Sequence, residues 1–357
     1  MQIKKSTRDL AFAGVAVVAL LGLVVFRGRS STTEPEGSRK PASETTKGEV
    51  RLCYFPNVTH APALVGVANG EFAKELTGYQ LTTKVVNAGP EAMEALLAGE
   101  IDFSYVGPSP AINTFLKSHG EALRVIAGAC EGGASLICRG DETMTSVKDL
   151  AGKKVAVPQL GGTQDVSCRK FLVEAGMTTV DKGGTVAIIP VKNPDILALF
   201  KRKQIDAAWV PEPWASRIKK DAGAKTVIDE RDLWPGHKFT TTVLVVRKKF
   251  ADEHPDAVAE VLKAHIASVD FLQSKPEDAK KVVNDELKRL SGKSLNKEVL
   301  DEAWSRVSFT VTPDPANIMA FAQAAFAAGY AKTEPKGLEA LVEAQPLADA
   351  QKGGAAK

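Results

Sequence analysis

The stretch EALLAGEIDFSYVGPSP, residues 94–110, has a counterpart in LALFKRKQIDAAWVPEPW, residues 197–214. Ile101-Asp102 aligns with Ile205-Asp206, and Tyr105-Val106 with Trp209-Val210, at an offset of 104 residues. Upstream, LCYFPNVTHAPALVG (52–66) and VAVPQLGGTQDVSCRKFL (155–172) each give a short apolar run, a proline, a polar turn and a helical pattern. Thr59-His60 aligns with Thr163-Gln164 at the same offset, while the prolines slip by two residues. Four features in one order point to one unit written twice.

Each copy reads as strand, turn, helix, strand, helix, strand. In the first, 52–55, 81–86 and 103–106 are strands, and 62–73 and 91–98 are helices. The second helix carries Met93, Leu96 and Leu97 at helical spacing and stops at Gly99. In the second copy the strands are 154–157, 186–189 and 207–210, with helices over 165–174 and 194–201. Strands alternating with helices predict parallel sheets, so two copies predict an α/β protein of two Rossmann-like lobes. An apolar strand over 242–246 follows, then amphipathic covering helices over 255–273, 276–290, 297–306 and 315–328. The simplest path crosses to the second lobe near Arg139 and returns near Thr240, leaving a central ligand cleft. Lobe 1 is then 49–138 plus 241–345, and lobe 2 is 139–240. Residues 346–357 read as a disordered tail.

The chain has 357 residues, 44% of them hydrophobic, enough for a large core. Its net charge of +3 is spread without a basic stripe, which argues against nucleic acid as a partner. Cys53, Cys130, Cys138 and Cys168 show no CxxC spacing and no grouping with histidines, which argues against a metal. Cys130 and Cys138 flank a Gly-Gly turn and read equally as a cross-strand pair or as buried thiols. At the N-terminus, Lys4, Lys5 and Arg8 precede an apolar run from Leu10 to Phe26, and Arg27 and Arg29 follow. Residues 1–29 therefore read as a signal peptide or a membrane anchor. No small-x-small site follows closely, which makes an uncleaved anchor in contact with the membrane credible beside a cleaved signal. Residues 30–48, rich in Ser, Thr, Pro, Glu and Lys, read as a flexible linker. The folded part is expected outside the cytoplasm.

Ligands of open α/β sheets lie beyond the carboxyl ends of the strands. Here those ends are PNVTH (56–60), VGPSP (106–110), LGGTQD (160–165) and VPEPW (210–214). Helix starts at such turns present free N–H groups and a partial positive charge, which suits a small oxyanion held without metal or cofactor. Each turn also has a plainer reading. Thr59 and Ser109 serve equally well as helix caps, Gly161-Gly162 as a tight turn, His60 as a structural histidine, Trp214 as core and Glu212 as a first-turn carboxylate. Convergence of all four on one cleft is what favours binding. Catalysis is poorly supplied. GGTQD lacks the Lys-Ser/Thr of a phosphate loop, there is no G-x-S-x-G or HExxH, and the five histidines are scattered.

The stretches YFPNVTHAPALVG, ALLAGEIDFSYVGPSPAI, DLAGKKVAVPQLGGTQD and QIDAAWVPEPWAS resemble the substrate-binding proteins of bacterial ABC importers. Nearest are the aliphatic sulfonate, taurine and nitrate binders, over about residues 50–332. The resemblance implies a two-lobed periplasmic-binding-protein-like fold of type II and a monomer without enzymatic activity. That monomer would hand a small organic anion, first of all an aliphatic sulfonate or taurine, to an ABC permease in the membrane. Nitrate and thiamin-pyrimidine-type ligands are the alternatives. So is an enzyme of the thiamin-pyrimidine synthase type, whose cysteine-rich motif is missing here. By position the resemblance implies that Asn57, Thr59, His60, Gly107, Ser109, Gly162, Thr163, Gln164 and Trp214 line the cleft. Glu212 would stand close enough to meet a taurine ammonium, with His237 and Thr240 to Thr242 behind. Two features depart from the family's pattern: the apparent anchor, and His60, whose titration would change the preferred ligand charge with pH.

Overall fold

Two sheets organise the described residues, 47–331 and 334–354, of this computed structural model. The expected signal or anchor (1–29) lies outside the described residues, as does the linker up to residue 46. Among the described residues no helix is long and apolar enough to cross a membrane.

The first sheet opens with β1 (Gly48–Tyr54), β2 (Tyr79–Val85), β3 (Phe103–Val106) and β4 (Leu123–Gly132). The chain then builds the second from β5 (Ala134–Cys138), β6 (Lys154–Val157), β7 (Ala187–Pro190), β8 (Ala207–Pro211) and β9 (Lys225–Asp229). It returns to the first through β10 (Thr240–Arg247) and β11 (Val307–Phe309). The orders are β11-β4-β10-β3-β1-β2 and β7-β6-β8-β5-β9. The duplication shows directly: β1 pairs in parallel with β2 and β3, as β6 does with β7 and β8. Next to each parallel triplet stands an antiparallel strand delivered by the other half, β10 in the first sheet and β5 in the second. The central strands are covered on both faces, so FSYV of β3 and AAWVP of β8 are buried at every position.

Two expectations need correction, the first crossing and the tail. The first crossing falls at Gly132-Gly133, not near Arg139, because 134–138 pairs with β8 and β9 and so belongs to the second sheet. Both glycines have positive φ, +74° and +72°, which lets β4 turn straight into β5. Cys130 and Cys138 thus stand on strands of different sheets, and all four cysteines are buried free thiols. Last, the expected tail is helical from Gln345 to Gly354, with Leu347 and Ala350 buried, while 355–357 lie outside the described residues. A smaller difference is that the helix expected over 62–73 ends at Ala68, where Gly70 takes a φ of +74°.

Covering helices close the outer faces. Pro255–Ser274 buries Ala257, Val258, Val261, Leu262, Ala264, Val269 and Leu272, one face at three-to-four spacing. Pro315–Ala327 packs against both Pro108–Lys117 of the first half and Thr163–Glu174 of the second. Its Phe321 meets Trp234 and Phe239 of the return connection, at ring centroids 4.2 and 5.7 Å away.

Candidate functional site: a cavity at the strand ends

The carboxyl ends of β1, β3, β6 and β8 surround one cavity of about 430 Å³, counted out to solvent. Helices begin around it at Ala61, Gly89, Pro108, Thr163 and Asn193. None of the five has a side chain bonded to its first-turn N–H groups. The donors left free differ, however. Prolines stand in the first turn of four of these helices, whereas Thr163, Gln164 and Asp165 all keep their N–H. The Thr163 terminus therefore offers the most free N–H donors of the set. It is rigidly framed. Asp165, fully buried, accepts from Gly161 N at 2.8 Å, from Arg169 Nε at 2.9 Å and from the Tyr330 hydroxyl.

Of the residues named from sequence, Asn57, Thr59, His60, Gly107, Gly162, Thr163 and Gln164 line the cavity together. Ser109, Glu212 and Trp214 do not. Ser109 is buried as the second residue of its helix, with its hydroxyl unbonded. Trp214 acts from behind, its Nε1 donating to Asn57 Oδ1 at 2.9 Å. Glu212 is wholly buried outside the cavity; its Oε2 accepts from Ser216 N at 3.1 Å and its Oε1 lies 3.6 Å from Arg306 Nε. Burial raises its acid to about 7. Of the weaker candidates Thr241 and Thr242 are in the wall; Thr240 is not, its N–H donating to Asn317 Oδ1 at 2.8 Å, and His237 is exposed.

Sequence reasoning missed Asn87, Ala88, Gly89, Gln159 and Asn193, and the apolar members Phe55, Pro110, Pro158 and Pro211. The repeat held a signal for two of the turns. Pro90 and Pro194 are also 104 residues apart, each opening a helix directly after Gly89 or Asn193.

The electrostatics are uniform. Among the described lining residues none is Asp, Glu, Lys or Arg. His60 accepts from Phe55 N at Nδ1, 3.3 Å away, and burial lowers its conjugate acid to about 3. It is neutral at physiological pH, so the expected pH-dependent change of ligand charge does not come from His60. The hydroxyls of Thr163 and Thr242 are buried in the wall without a protein partner, as is Asn193 Oδ1. Buried polar groups ordinarily carry a partner, so these three wall atoms are left free to bond a molecule held in the cavity. The halves meet closely here: a methyl group on Gly107 would lie 3.2 Å from Thr163 Cβ and closer still to its hydroxyl. Among the described residues no cluster of His, Cys, Asp and Glu fits a metal.

Residues 43–284 match the model of the NMT1-like family. The taurine-binding periplasmic protein of Escherichia coli is 29% identical over 238 residues, 65% of this chain and 70% of that protein. Among solved structures, the alkanesulfonate-binding protein SsuA of Xanthomonas axonopodis pv. citri, bound to MOPS, superposes with a TM-score of 0.69 at 19% identity. It covers 86% of this chain and 100% of that one. The periplasmic nitrate-binding protein NrtA of Synechocystis PCC 6803 gives 0.72 at 14% identity, over 85% and 88%. The two-sheet architecture is thus the fold of periplasmic binding proteins, and the names these relatives carry are those of binding proteins.

Proposed function

Because the chain belongs to the NMT1-like family, we propose that it is the extracytoplasmic solute-binding component of an ABC importer. It binds a small organic monoanion, closes its two lobes on it and delivers it to a membrane permease without converting it. The observation that carries this is the pair of buried, unpartnered hydroxyls of Thr163 and Thr242 in a wall of helix N-termini.

The finer reading is an aliphatic sulfonate. Phe55, Pro110, Pro158 and Pro211 give the cavity an apolar side that an alkyl group fills and a nitrate does not. Taurine fits less well, because Glu212 is turned into the protein and no carboxylate is left to meet an ammonium group. Thermal unfolding against ethanesulfonate, taurine, nitrate, bicarbonate and a thiamin pyrimidine tests this. A ligand at a hundred times its dissociation constant adds about 2.7 kcal/mol of stability. The expected order is ethanesulfonate well ahead of taurine, with nitrate behind both. A shift with the pyrimidine alone, or none with any of the five, overturns the reading.

A further inference from the structure

Outside the cavity, Arg306 links the two halves by several charged contacts. Arg306 closes the helix Lys297–Ser305, which packs on the first-sheet side, and faces the helix Trp214–Ala222 of the second. Its Nη1 donates to Asp229 Oδ2 and its Nη2 to Glu302 Oε1, each at 3.3 Å, while Nε sits 3.6 Å from the buried Glu212 Oε1. Asp229 and Glu212 belong to the second half, at the end of β9 and just after β8. Glu212 is also tied to the crossing, since its N–H donates to Gly133 O at 2.7 Å. Lys219 and Lys220 add pairs to Glu302 and Glu298 across the same two helices. The Lys220 pair is exposed and contributes little. Arg306 is one-fifth exposed and meets three carboxylates with a planar fork, a geometry that lysine cannot reproduce.

We propose that Arg306 is a positioning residue for ligand capture. By fixing Glu212 it fixes Pro211 in the cavity wall and Trp214 against Asn57, so the closed arrangement depends on a side chain that never touches the ligand. This rests on the lobe-closure reading above, and the experiment separates the two. Nitroxides are placed on the full chain at Glu94→Cys and Lys201→Cys, exposed positions on helices of opposite halves. The four native thiols are buried and remain unlabelled. The inter-label distance of the ligand-free protein is measured by pulsed electron resonance in wild type, Arg306→Gln and Arg306→Lys.

Arg306→Gln is expected to lengthen and broaden the distance, and Arg306→Lys to restore it in part. About 1 M salt, where the screening length is about 3 Å, should move wild type toward Arg306→Gln and shift that variant less, since only the Lys219 and Lys220 pairs remain to be screened there. Affinity for ethanesulfonate should fall about tenfold in Arg306→Gln, within the usual range of coupling between distant sites. Coincident distance distributions in wild type and Arg306→Gln overturn the proposal, whatever the ligand. Failure of ethanesulfonate to bind wild type counts against the ligand reading alone, and the distances still decide the role of Arg306.

Discussion

Trp214 and Asn57 join the strand ends of the two sheets through one buried hydrogen bond, Nε1 to Oδ1 at 2.9 Å. One residue opens a second-half helix, and the other ends the first turn after β1. The bond spans the two halves, so it is expected to contribute to the energetics of closure. Trp214→Phe keeps most of the buried ring and removes the donor. A net loss of about 1 kcal/mol is expected, or roughly fivefold in affinity for ethanesulfonate by calorimetry.

Thr163→Val is nearly isosteric and deletes a hydroxyl that has no protein partner. The ligand-free protein therefore loses nothing and is expected to melt at the same temperature or higher. A hydroxyl bonded to an anion contributes about 1.5–3 kcal/mol, so affinity should drop roughly ten- to a hundredfold. Ser109→Ala is the control, since Ser109 is buried away from the cavity, and its binding isotherm should overlay that of wild type.

The contrast between Thr163 and Ser109 shows what the sequence made legible. The duplicated units, the parallel triplets and most helices were readable because hydrophobic period and turn chemistry are local. The strands β4, β5 and β9 were not, because their place depends on which half a crossing delivers them to. Gly132-Gly133 reads as a hairpin turn until the partners of β5 are known. Likewise Ser109, Trp214 and Glu212 stand at the right turns, but whether a side chain faces the cavity or the core depends on its phase in the helix that follows. Asn87 and Asn193 were readable in principle, since Pro90 and Pro194 continue the repeat.

Gly107 has an ordinary φ of −69°, so alanine is tolerated by the backbone there. Its cost is steric and falls on closure. The new methyl would press on the Thr163 side chain and lie 3.4 Å from Thr241 O. Gly107→Ala is expected to weaken ligand binding more than about tenfold, either by holding the halves apart or by turning the Thr163 hydroxyl out of the cavity. Tight binding by Gly107→Ala would mean that the two strand ends do not approach this closely when ligand is held.

Glu212 and Glu230 make stability depend on pH in an uncommon direction. Both are fully buried, Glu230 accepting from Trp209 Nε1 at 2.6 Å and from Trp234 Nε1 at 3.2 Å, and burial raises both acids to about 7. In the unfolded chain each returns to the ordinary glutamate value near 4.5. Between those two values the folded protein binds more protons than the unfolded one, so stability falls as pH rises through the window. The contribution is fully present below the unfolded value and lost as pH passes about 7; it amounts to at most about 3 kcal/mol per group. The melting temperature of wild type should therefore decline from pH 5 to pH 8. Glu212→Gln and Glu230→Gln should each flatten that slope, even if the amide lowers the curve as a whole by facing Arg306 or an indole N–H. A slope unchanged in both variants would show that neither carboxyl holds its proton in the folded chain.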